Sequence, residues 1–281
     1  MRSVSSKIKA NVKQVYYRYI QGNGLIMKKR STASAVGLTI AACFVILLFY
    51  TIGGAMISIR KIEGANANLV RGVCVWLSVA ALLIFMEIKG KKPAEMGIVK
   101  PKAEGLKKVY YVIPMMIIAL MGLIGGLSPE ADVSYVLSTL FLSIAVGFSE
   151  ELYFRSVVLD IWQFKGVKTA VIVSSVVFGI CHLTNVLGGA GIAATLLQIA
   201  FAFLYGIAQA LIFTKAKSLV PCIFVHFLHD FIAFNTSDVI QILTIVIAAV
   251  QVVILLVYVI MLTRGESAVG NEEKEPEDQI D

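Results

Sequence analysis

Leu137 to Trp162 reads LSTLFLSIAVGFSEELYFRSVVLDIW. Both ends of this stretch are apolar enough for a bilayer, and its centre holds Glu150, Glu151 and Arg155. A crossing helix needs roughly 20 mostly apolar residues to span a hydrocarbon core of about 30 Å. Hydropathy alone ends a helix near Phe148 and leaves both carboxylates at the membrane surface. Taking 137–162 as one span instead puts Glu150 near mid-depth. Charge is costly there, so such groups usually face a protein interior or a water-filled cavity and mark function.

The rest of the chain sets the class. Of its 281 residues 58% are hydrophobic and only 15% charged, against about half and about a quarter in a soluble domain. Long apolar runs without alternation argue for helices and against a barrel. Spans are expected near 36–58, 68–87, 109–127, 137–162, 168–187, 191–214, 218–235 and 239–262. The expected fold is an all-α polytopic membrane protein with about eight transmembrane helices.

The net charge of +7 is unevenly placed. Eight basic residues from Arg2 to Arg30 precede the first span, and seven from Lys89 to Lys108 separate the second and third. Lys165, Lys168, Lys215 and Lys217 mark the same side, while the opposite loops offer Glu130, Asp132 and Asp238. Arg60, Lys61 and Arg71 go against this trend. The positive-inside rule puts both termini in the cytoplasm. The basic excess then reads as topology and contact with membrane lipids, not nucleic-acid binding.

Residues 1–30 lack the apolar core of a signal peptide. Val4, Ile8, Val12, Tyr16 and Ile20 recur every four residues among lysines. That suits a basic amphipathic helix on the inner leaflet, with a disordered basic tail as the alternative. N-terminal transmembrane helices fill 31–136, a polar-centred core 137–235 and a last transmembrane helix 236–264. The acidic end at 265–281 reads as a disordered tail. Cys43, Cys74, Cys181 and Cys222 all lie in spans with no CxxC spacing, as small buried apolar residues would. The absence of a targeting extension favours a bacterial plasma membrane.

Three polar clusters fall in three successive core spans. In GFSEELYFR, Glu151 and Arg155 are i,i+4 neighbours on one helical stripe. Glu150 points about 100° away from that stripe. One carboxylate is then positioned by the arginine, and the other is free to face a cavity as a base. In FGICH, His182 stands about 22 Å along the fifth span. In PCIFVHFLHD, His226 stands about 12 Å along the seventh, with Asp230 at i+4 and His229 beside it. Each cluster alone is explained by a helix end or by interhelical packing. Glu150, His182, His226 and Asp230 at one level in three helices are not.

EELYFR, FGICH and HFLHD match EExxxR, FxxxH and HxxxD in that order. The stretch from Leu137 to Phe234 resembles the CPBP family of intramembrane endopeptidases (CAAX protease and bacteriocin processing; Abi). Asp230 stands where the prenyl-protease branch usually has Asn. The resemblance implies a catalytic core in helices four to seven. Glu150 and His182 would activate a water for peptide-bond hydrolysis, and His226 and Asp230 would hold the oxyanion or orient the substrate. Glu151 and Arg155 would support the helix and bind the substrate terminus. A peptide or lipidated peptide would be the partner, and the site would open to the cytoplasm. A zinc hydrolase using Glu150, His182 and His226 is the competing mechanism, with three ligands and one open position. A proton-coupled transporter and a non-catalytic scaffold are the readings from other classes.

Overall fold

The computed structural model describes residues 30–101, 111–237 and 241–272, the side chains of 241 and 264–272 excepted. The expected N-terminal amphipathic helix lies outside the described residues. So do Lys102, Lys107, Lys108, Asp238 and the acidic tail beyond Glu272.

The described residues form eight principal helices. They are α1 (Thr32–Arg60), α2 (Gly64–Ile88), α3 (Val112–Leu120), α4 (Val133–Lys165), α5 (Val167–Cys181), α6 (Ile192–Ala216), α7 (Val220–Asn235) and α8 (Gln241–Glu272). A 3-10 turn, Met121–Gly125, extends α3, and a short helix, Thr184–Leu187, extends α5. The fold is all-α, as expected.

Six of these are long and apolar enough to cross a membrane, fewer than the eight spans expected. The stretches at 109–127 and 218–235 give only the shorter apolar helices Val112–Gly125 and Val220–Asn235. At 1.5 Å per residue, the 16 residues of α7 reach about 24 Å, short of a full crossing. At the chain's other end, α8 continues to Glu272, past the expected end of its span near 262.

Burial is inverted relative to a soluble bundle. Ile40, Phe44, Ile59, Ile84 and Leu196 are exposed, whereas Asn68, Ser78, Ser138, Thr139, Ser143, Ser149, Ser174 and Ser175 are buried. Lipid removes the hydrophobic drive between helices, so small residues and interhelical hydrogen bonds hold the bundle together. Asn68 donates to Ser138 at 3.2 Å, and the Ser78 and Ser149 hydroxyls share a bond of 3.1 Å. These pairs set α2 and α4 parallel, with Ser78 level with Ser149. Across the site, a Cβ on Gly147 would come within 2.9 Å of Phe227 N. The backbones of α4 and α7 therefore touch one turn before Glu150. Gly179 meets Ile199 O in the same way, drawing α5 onto α6.

Helix α4 changes pitch at the polar cluster. Val133–Glu150 is α-helical and capped by Asp132, which accepts from Tyr135 N at 2.7 Å. Glu151–Val158 is a π-helix, and Leu159–Trp162 returns to α. Single π turns inside α-helices frequently occur at functional sites. The Ser174 hydroxyl of α5 donates to Phe154 O at 2.7 Å within the widened turn. Trp162 Nε1 donates to Thr39 Oγ1 at 2.9 Å and pins the far end of α4 to α1.

Candidate active site

A cavity of about 350 Å³ lies between α1, α2, α4, α5, α6 and α7. Glu150, His182, His226 and Asp230 all line it. Glu150 is the eighteenth residue of α4 and His226 the seventh of α7, so both lie within the apolar depth of the bundle. The span 137–162 is thus one helix through the cluster, and Phe148 does not end it.

The two adjacent carboxylates have different surroundings. Glu150 enters the cavity with 14% of its side chain exposed, and its Oε1 accepts from the Tyr50 hydroxyl at 3.2 Å. Its Oε2 stands 3.4 Å from His226 Nε2. Glu151 is fully buried and turns away from the cavity, with Oε2 at 3.2 Å from Arg155 Nε. Its Oε1 accepts from His226 Nδ1 at 2.7 Å. Glu151 is therefore shared between Arg155 and His226, whereas the stripe pattern paired it with Arg155 alone.

Arg155 is wholly buried and absent from the cavity wall. Its guanidinium sits 4.2 Å from the centre of the Phe178 ring. Nη1 and Nη2 have no hydrogen-bond partner among the described residues. A substrate terminus in the cavity does not reach it, which removes that part of the role expected for Arg155. Its charge compensates Glu151, and the stacked ring supplies a cation–π contact.

Backbone and carboxylate partners orient both imidazoles. His182 Nδ1 lies 3.0 Å from Phe178 O. A carbonyl only accepts, so Nδ1 carries the proton and Nε2 is left with a lone pair. Phe178 also packs edge-on against the His182 and His226 rings, at 5.0 and 6.0 Å. On His226, the Glu151 bond holds Nδ1 and leaves Nε2 between Glu150 and Asp230, whose Oδ2 is 3.6 Å away. His229 does not line the cavity; it stacks on Phe201 at 5.0 Å, with Nδ1 3.4 Å from Asp230 Oδ1.

Phe154 and Phe178, packed edge to face at 5.0 Å, line one end of the cavity. In the other direction its wall runs to Arg71, Asn185, Gln198 and Phe234. These lie toward the helix ends that carry the loops 61–63, 126–132, 188–191 and 236–237. That is the lysine-poor end of the bundle. These wall residues run toward the end opposite the lysine-rich loops, where the opening was expected.

Sequence reasoning missed Tyr50, whose only signal was a hydroxyl inside an apolar span. Gln198 also lines the cavity, and it accepts from Asn185 Nδ2 at 2.8 Å. Tyr205 and Gln209 pack behind the site: Tyr205 stands edge-on to His226 at 5.5 Å, and Gln209 donates to Cys222 O at 3.0 Å. Among the described residues, no three His, Cys, Asp or Glu side chains are grouped to hold a metal ion. His182 and His226 each commit Nδ1 to a protein acceptor, Phe178 O and Glu151, which leaves Nε2 as the free nitrogen of each ring.

The architecture is that of an all-α polytopic membrane protein with acid and imidazole groups around an internal cavity. Residues 132–232 match the family described as type II CAAX prenyl endopeptidase Rce1-like. All three motifs fall inside that match, which shows the resemblance to the CAAX-protease (CPBP) family and supports a membrane protease of the CAAX type. No curated protein and no solved structure matches the chain.

Proposed function

We propose that the protein hydrolyses a peptide bond inside the membrane, with Glu150 as general base. The observation that carries this reading is the shared cavity of Glu150, His182, His226 and Asp230 at mid-helix depth. A water held between Glu150 and His182 Nε2 loses its proton to Glu150 as its oxygen adds to the substrate carbonyl. Tyr50 keeps the Glu150 carboxylate turned toward that water. The oxyanion that forms is met by His226 Nε2 when this nitrogen carries a proton, with Asp230 and Glu151 holding the ring. The C–N bond then breaks, and the proton on Glu150 passes to the leaving amine. Preset donors of this kind act without reorganising during the reaction.

The match to prenyl endopeptidases favours a peptide or lipidated peptide as substrate. If the lysine-rich loops and both termini are cytoplasmic, the cavity faces the outer half of the bilayer. In a bacterial plasma membrane that suits a membrane-anchored or exported peptide, as in bacteriocin or pheromone processing.

Membranes from cells carrying the wild-type and the Glu150→Gln protein test this reading by comparison of their peptides. An uncleaved precursor should accumulate with Glu150→Gln and with His182→Ala at normal protein levels. Identical peptide profiles in all three would sink the assignment.

A further inference from the structure

We propose that Arg71 is a substrate-binding residue that holds a carboxylate of the peptide three to four residues from the scissile bond. The idea rests on the hydrolase reading above for the position of the reacting carbonyl. Arg71 is an arginine in the eighth position of α2 and runs against the charge trend of the chain. Ionisable residues at such positions are functional by default.

Three observations give it this role. First, Arg71 lines the same cavity as Glu150 and Asp230. Second, it is exposed and has no ion pair or hydrogen bond among the described residues, so its donors are available. Third, the charges in the wall are segregated. By the helix registers Glu150 lies deepest, Asp230 lies between, and Arg71 lies nearest the lysine-poor mouth. A substrate carboxylate is repelled from the deep end and attracted to the mouth, which sets the direction in which the peptide lies.

The register of α2 on α4 gives the spacing. Ser78 is level with Ser149, so Glu150 is level with residue 79. Arg71 is eight residues nearer the mouth, a rise of about 12 Å. Extended peptide covers about 3.3–3.6 Å per residue. A carboxylate at Arg71 and a carbonyl at Glu150 are then separated by three to four residues. Guanidinium presents a planar fork that matches a carboxylate better than an ammonium does.

The test uses the full chain in phosphatidylcholine nanodiscs and three fluorescein-labelled apolar octapeptides. One ends in a free carboxylate, one in an amide, and one in an amide with a single internal glutamate. Anisotropy should show the free acid binding about tenfold tighter than the plain amide, as a charge-assisted bond gives. Arg71→Gln should abolish that difference, and Arg71→Lys should keep part of it. Recovery of affinity by the internal glutamate assigns the contact to a side chain, and no recovery assigns it to the C-terminus. Equal binding of all three peptides to the wild-type protein overturns the proposal, as does a preference that survives Arg71→Gln. A preference that vanishes in phosphatidylglycerol discs also overturns it, because Arg71 then serves lipid phosphate. Cleavage read in the same samples separates the two ideas. An Arg71-dependent preference without cleavage removes the hydrolase and leaves the binding site standing. Cleavage without the preference does the reverse.

Discussion

Glu151 accepts a hydrogen bond of 2.7 Å from His226 Nδ1, and its other oxygen stands 3.2 Å from Arg155. One buried carboxylate thus joins α4 to α7, neutralises an arginine sealed from solvent, and aims the imidazole at the cavity. Breaking a buried pair on one side costs more than the pair's net worth, because the survivor keeps its desolvation penalty.

Glu151→Gln should accordingly lower stability by about 3–5 kcal/mol. Thermal unfolding in detergent measures it. Arg155 and Glu151 are both fully buried, so solvent screening does not soften the loss. Replacing both together by Met and Gln should recover part of the deficit. A single variant that unfolds at the wild-type temperature contradicts the shared role.

Glu150→Gln should behave in the opposite way. This residue faces the cavity and is bonded only through Tyr50 and His226. Unfolding temperature should stay within error of wild type, while peptide cleavage falls by at least about 100-fold, the usual contribution of a general base. Retained cleavage would remove Glu150 from that role.

Tyr50→Phe removes one hydrogen bond to the base and nothing else in the wall. A net worth of about 1 kcal/mol corresponds to about a fivefold drop in kcat. KM should be unchanged. A drop confined to KM would place Tyr50 on the substrate instead of on Glu150.

Metal dependence is decided by chelation. The donor geometry does not assemble three ligands, so activity should survive exhaustive dialysis against a chelator. Metal analysis of the same sample should give well under one equivalent. Activity lost on dialysis and restored by zinc would show that the three residues regroup around an ion.

Gly147→Ala should reduce both stability and cleavage. Its Cβ would meet Phe227 N at 2.9 Å, and backbone cannot swing aside as a flexible side chain can. Overpacking of this kind costs about 1–3 kcal/mol. The shift also moves α7 and with it His226 away from Glu150. An alanine variant with wild-type kinetics would show that the α4–α7 spacing has slack.

The polar core was legible because the membrane makes each charged residue conspicuous. Glu150, His182, His226 and Asp230 stood out from apolar runs, and helical periodicity separated Glu150 from Glu151. Tyr50 escaped notice because a tyrosine in a span has a packing explanation and comes from a helix outside the motif region. The bond between Glu151 and His226 escaped because spacing along one helix says nothing of what a neighbouring helix brings near. The shortness of α7 was readable in principle, since its apolar stretch is bounded by Ser218 and Asn235. The direction in which the cavity wall runs was not readable, because it depends on how several helices pack, and lining residues such as Phe154 and Phe178 read as ordinary core residues.

The π segment of α4 carries a further consequence. A helix advances about 100° per residue, so a widened turn rotates everything beyond Val158 relative to everything before Glu151. Glu151 can then look toward α7 while Trp162 looks toward α1 on the same rod. The two halves are phased independently, like two cams keyed separately on one shaft. Substitutions at the Trp162–Thr39 anchor then leave the aim of Glu151 at His226 untouched, while Tyr50 remains the point at which α1 touches the chemistry.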